Sequence, residues 1–91
     1  MAKKIDNDLL YVTNSLLRID VMYLLESAGF ARNYEIAEML CRKSTNVSRI
    51  VKGLCEHDLV DFETNNGFNF YFLTEKGKEI VNKLRHYHGL D

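Results

Sequence analysis

The sequence predicts a mainly helical α+β fold in the order helix, helix, helix, β-hairpin, helix. Three observations carry this expectation. Apolar residues recur at helical spacing before Gly29, after Asn33, after Ser44 and after Thr74. Two β-prone runs, Leu59 to Asn65 and Phe68 to Thr74, are separated by Asn66-Gly67, the pair that a type I′ hairpin turn prefers. Proline is absent, so the boundaries between elements are marked by Gly, Asn, Ser and Thr.

From Asp6 to Ala28 the chain reads as helix. Leu9, Val12, Leu16, Ile19 and Tyr23 form one seam, and Leu10, Leu17, Val21, Leu24 and Ala28 a second stripe beside it. Thr13-Asn14-Ser15 is expected to divide this stretch into a short and a longer helix, and Gly29 to end it. Asn33 is expected to cap a short helix with Ile36, Ala37 and Leu40 inward. After a turn through Arg42 and Lys43, Ser44 is expected to cap a third helix running to about His57, with Val47, Val51, Leu54 and Cys55 on its apolar positions. Within the hairpin, a two-residue loop sets Val60 opposite Leu73 and Phe62 opposite Tyr71, making these four the expected core face. Phe68, Phe70 and Phe72 then point the other way with Asp61 and Glu63. Thr74 caps the last helix, whose inward stripe is Ile80, Val81, Leu84 and Tyr87.

The chain has 91 residues, room for one domain spanning 1–91, with 1–14 as an N-terminal helical extension and 75–91 as a C-terminal helix. An apolar fraction of 46% and a charged fraction of 27% are those of a globular protein rather than a disordered one. No apolar run is long enough to cross a bilayer, and the start lacks the apolar centre of a signal peptide, so a cytoplasmic protein with no membrane partner is expected. Cys41 and Cys55 have neither zinc-ligand spacing nor the density of a disulfide framework and read as two buried thiols. His57, His86 and His88 do not complete a ligand pattern, so neither a metal nor another cofactor is expected. No phosphate loop, nucleophile elbow or HExxH is present, which argues against an enzyme.

Two short helices joined by a tight turn and followed at once by a β-hairpin make a helix-turn-helix with a wing. The third helix must then bury one stripe and offer polar and basic side chains on the other. Thr45, Asn46, Ser48, Arg49 and Lys52 occupy that second face. Between Arg42 and Cys55 stand four basic residues and no acidic one, in a chain of net charge −1. Arg49 can pair with guanine O6 and N7, and Asn46 with adenine N6 and N7. Arg42, Lys43, Ser44 and Lys52 suit phosphates, which position the protein without reading sequence. Asn65 and Asn66, at a wing tip without Arg or Lys, can hydrogen-bond to the duplex. These ten residues are the expected DNA-binding set.

The stretch STNVSRIVKGLCEHDLVDFETNNGFNFYFLTEKGKEIV resembles the recognition helix, wing and following helix of the MarR and ArsR type of winged-helix regulators. Val47-Ser48-Arg49, Leu54, Asp58-Leu59-Val60 (where the family often has Gly-Leu-Val) and Leu73-Thr74-Glu75-Lys76-Gly77 carry the likeness. Upstream, Leu17-Arg18-Ile19 with Leu24-Leu25, and Glu35-Ile36-Ala37, are similar to the first two core helices. The resemblance implies a dimeric, sequence-specific transcriptional regulator, with the terminal helices forming the dimer interface. Gly53 departs from the family pattern, which has a larger residue there, so close packing or a bend is expected at that point. The alternative reading is a protein-interaction module that docks a partner on Phe68, Phe70 and Phe72.

Overall fold

A computed structural model describes residues 6–88, with Tyr87 and His88 described in backbone only. Five helices and a hairpin follow one another as α1 (Asn7–Thr13), α2 (Leu16–Ala28), α3 (Asn33–Leu40), α4 (Ser44–Glu56), β1 (Val60–Asn65), β2 (Phe68–Leu73) and α5 (Glu75–His88). This is the expected mainly helical α+β winged-helix order.

The first helical stretch divides where Thr13-Asn14-Ser15 predicts. Ser15 adopts extended backbone and its hydroxyl accepts the amide of Arg18 at 3.2 Å, capping a new helix. That break resets the helical phase, which corrects the expected seam: Val12 is buried, but Leu16, just past the break, is 77% exposed. The core face of α2 is Val21, Met22 and Leu25 instead. Gly29, at φ 86°, ends α2 as expected.

Two further caps differ from expectation by one residue. Arg32, not Asn33, is the N-cap of α3, and the Glu35 carboxylate accepts its amide at 2.8 Å. The Asn33 side chain instead donates to the carbonyl of Ser44 at 3.1 Å, tying the starts of α3 and α4 together. Lys43, not Ser44, is the extended N-cap of α4.

Val21, Met22 and Leu25 pack with Val12, Ile36, Ala37, Val47, Val51, Leu54, Leu59, Ile80, Val81 and Leu84 in one core. Tyr87, expected on the inward stripe of α5, has its side chain outside the described residues. Cys41 corrects the expectation of two buried thiols, since it is exposed in the left-handed C-cap of α3, while Cys55 is half-buried; both are free. Among the described residues, no helix is long and apolar enough to cross a membrane.

The hairpin has the expected register, Val60 opposite Leu73 and Phe62 opposite Tyr71. Asn66 and Gly67 both take positive φ, at 53° and 82°, as a type I′ turn requires. The expected core face holds only at the base, where Val60 and Leu73 are buried; Tyr71 is half-buried and Phe62 is 45% exposed, because the ribbon projects beyond the helices. The sheet also gains a contact that no sequence pattern announces. Ala31 and Tyr71 exchange two backbone hydrogen bonds, at 2.9 and 3.0 Å, so the link between α2 and α3 lies along β2. That link partly covers the outer face of the hairpin, where Phe30 meets Phe70 edge-on with ring centroids 5.9 Å apart.

Candidate nucleic-acid interface

Helix α4 owes its placement to a tight turn. Cys41, at φ 55°, reverses the chain, and the Arg42 amide reaches back to the carbonyl of Ala37 at 2.9 Å, closing α3. Two residues later α4 begins. Val47, Val51 and Leu54 anchor its inner face in the core. The opposite face is therefore turned outward, and Arg42, Lys43, Ser44, Thr45, Asn46, Ser48, Arg49 and Lys52 are each exposed. Asn65 and Asn66 are exposed at the end of the wing, whose Thr64 hydroxyl donates to Asn69 Oδ1 at 2.7 Å.

The charges on that surface stand apart from those elsewhere. Arg32 pairs with Glu35, Lys76 with Asp8, Lys78 with Glu75, Lys83 with Asp6, and Arg85 with Glu26. Arg18 lies over the Tyr11 ring at 3.7 Å. Among the described residues, the side chains of Arg42, Lys43, Arg49 and Lys52 have no ion pair and no hydrogen bond. Every other described Lys or Arg except Arg18 has a carboxylate partner, Arg32 only through Nε at 3.5 Å, and four are left unpaired at the turn and on α4. Unpaired cations clustered on one helix face favour a polyanion.

The inner end of α4 is held by a second set of contacts. Tyr11 stacks on His57 with centroids 3.7 Å apart and planes 12° off parallel, and Arg18 covers the other face of the same ring. A Cβ on Gly53 would lie 2.2 Å from the Tyr11 hydroxyl, so this glycine serves the close packing its departure from the family implied. Lys76 donates to the carbonyl of His57 at 3.1 Å, placing positive charge at the C-terminus of α4. The same ammonium lies 2.9 Å from Asp8, whose carboxyl is held below the usual carboxylate range first by this bond, with a further contribution from His57. Asp6 is lowered in the same way, chiefly by Lys83. Burial, aided by Asp61 and Glu56, pushes the Cys55 thiol up.

Two residues at the interface escaped sequence reasoning. Arg32 packs its guanidinium over Tyr34 at 4.6 Å and over Phe68 at 4.7 Å, beside the turn end of the wing. Asn33 bridges to α4 as described. The one available signal was a basic residue between two aromatic ones in Phe30-Ala31-Arg32-Asn33-Tyr34, a run too short to show periodicity. Among the described residues, no three His, Cys, Asp or Glu side chains are grouped to hold a metal; the side chain of His88 lies outside them.

A two-helix motif with an outward polar helix and an adjoining hairpin defines a winged helix-turn-helix protein. Residues 15–67 match the MarR family, and the chain belongs to it. A helix-turn-helix-type transcriptional regulator, MntR of Oceanobacillus iheyensis, is 38% identical over 73 residues, covering 79% of this chain and 48% of that protein. The chain therefore spans about half the length of the curated relative it matches.

Among solved structures, the antimony-specific transcriptional repressor AntR superposes with a TM-score of 0.79 at 15% identity, over 92% of this chain and 74% of that one. Bordetella bronchiseptica BpsR, whose DNA binding is regulated by 6-hydroxynicotinic acid, gives 0.77 at 13%, over 84% and 60%. A mutant of MarR from E. coli, solved with operator DNA, gives 0.76 at 16%, over 86% and 58%. At these identities the structural likeness establishes the fold.

Proposed function

We propose that this chain is the DNA-reading domain of a cytoplasmic transcriptional regulator, inserting α4 into the major groove of double-stranded DNA. The observation that carries the proposal is the unpaired quartet Arg42, Lys43, Arg49 and Lys52 on exposed backbone and helix surface. In this reading Asn46 and Arg49 read base edges, while Thr45 and Ser48 line the groove beside them. Arg42, Lys43, Ser44 and Lys52 hold phosphates, and Asn65 and Asn66 approach the duplex from the wing. Kinship with a named transcriptional regulator supports this reading over a protein-interaction module, and so does a fold shared with a MarR mutant solved with operator DNA. No catalytic role is assigned to the chain.

The active unit is a homodimer joined through its N- and C-terminal helices. Leu10 and Leu16, 50% and 77% exposed on the outer side of α1 and at the start of α2, support this. Arg49→Ala and Lys52→Ala separate the two roles. Arg49→Ala loses about 1–3 kcal/mol on the best site and relaxes sequence preference. Lys52→Ala weakens binding evenly on all duplexes and lowers the salt slope by about one. If both variants bind their best site as the parent does, α4 is not the reading helix.

A further inference from the structure

A cleft of about 330 Å³ opens between the start of α4 and the tip of the wing. Its lining includes Ser44 from α4, Gly67 and Asn69 from the hairpin, and Arg32. We propose that this cleft is a backbone-phosphate site, with Arg32 supplying the cation that the wing itself lacks. The proposal rests on the DNA-binding reading given above and adds a contact to it.

The case begins with charge. From Val60 to Leu73 the hairpin carries Asp61 and Glu63 and no basic residue, so the wing alone repels a phosphodiester strand. In the DNA-binding reading, a strand that runs from α4 to the wing crosses this cleft, which Ser44 and Gly67 both line. Arg32 is fixed there. Its side chain is only 25% exposed, its guanidinium is flanked by the rings of Tyr34 and Phe68, and Nη2 donates to the Tyr34 hydroxyl. Planar stacking on aromatic rings is a property of arginine and not of lysine, and it orders the side chain before a ligand arrives. Glu35 engages the other end, lying 3.5 Å from Nε. Nη1 has no partner among the described residues and remains available to a phosphate oxygen.

The α4 lining is pre-set as well. The Asn33 side chain holds the Ser44 carbonyl at 3.1 Å, which fixes the width of the cleft at its α4 edge and leaves the Ser44 hydroxyl exposed. An anion here meets a guanidinium, a hydroxyl and the Asn69 amide group, a donor set that suits a phosphodiester and carries no base-specific pattern. Arg32 is therefore assigned to affinity and register, not to sequence choice.

The test is a salt series of full-chain binding to a random-sequence duplex, comparing the parent with Arg32→Gln and Phe68→Leu. Loss of one phosphate contact lowers the slope of log K against log salt by about 0.9, which is roughly eightfold in affinity at 0.1 M salt. Arg32→Gln is expected to show that loss equally on all sequences, measured well below its melting temperature because the ring contacts to Tyr34 and Phe68 are lost with the charge. Phe68→Leu keeps the charge but frees the guanidinium, so it is expected to weaken binding with the slope retained. A parent that binds with a steep slope alongside an Arg32→Gln variant of identical slope and affinity overturns the phosphate site and leaves the DNA-binding reading intact. A parent that shows no salt-dependent binding to any duplex overturns both.

Discussion

Replacing Gly53 with alanine is expected to destabilise this protein, although the same change inside a helix ordinarily stabilises by about 1 kcal/mol. The reason lies outside α4. The new methyl carbon would stand 2.2 Å from the Tyr11 hydroxyl and 3.5 Å from the ring carbon that bears it. Tyr11 cannot simply tilt aside, because His57 stacks on one face of its ring and Arg18 on the other, each at 3.7 Å. Displacing the ring forfeits a stacked pair, about 0.5–1.5 kcal/mol, and a cation–π contact of about 0.5–2 kcal/mol. Set against the helical gain, the net effect is a loss of about 1 kcal/mol. Removing only the offending oxygen reverses the sign: in a Tyr11→Phe background the methyl meets ring carbon at an ordinary distance, and Gly53→Ala is expected to stabilise by about 1 kcal/mol.

The two backgrounds thus differ by about 2 kcal/mol, well above the roughly 0.5 kcal/mol expected of independent sites. Urea unfolding followed by far-UV circular dichroism, at one protomer concentration, measures all four corners of the cycle in a chain that has no tryptophan. Equal stabilisation by Gly53→Ala in both backgrounds would refute the packing argument.

Three further outcomes follow from the same geometry. At Gly77 an added Cβ would lie 2.1 Å from the backbone carbonyl of Leu59, which cannot swing away, so Gly77→Ala should lower stability by about 1–3 kcal/mol in the same unfolding assay. Asp58 sits at φ 61° in the left-handed region, so Asp58→Gly, the residue its family often carries there, should raise the melting temperature or leave it unchanged; a fall would contradict the strain reading. Asp6 and Asp8 have lowered carboxyl pKa values in the folded chain, so their stabilisation is complete above the ordinary value of about 3.9 and is lost as the pH falls through the native values. The stability gap between the parent and an Asp6→Asn, Asp8→Asn variant should therefore close in acid, as the pH falls through the native carboxyl values.

Most of the fold was legible because its signals are local. Asn66-Gly67 dictates the turn and hence the register of every hairpin pair, and the spacing of Val47, Val51 and Leu54 dictates which face of α4 turns outward. That outward face contains the candidate site, so its α4 residues could be picked before any coordinates. What escaped depends on contacts distant in sequence. The seam through Leu16 failed because a cap at Ser15 restarts the helical phase. Arg32 and Ala31 took on their roles only when the link between α2 and α3 came to lie along β2. Phe62 was expected in the core because alternation specifies a face and not how far a ribbon extends past the helices that cover it.

The most direct test of the central claim is selection of bound sequences from a random duplex DNA pool, repeated across a salt series. The account predicts a steep salt slope together with an enriched two-fold symmetric sequence, its half-sites about one helical turn apart. Absence of binding at the lowest salt would contradict it.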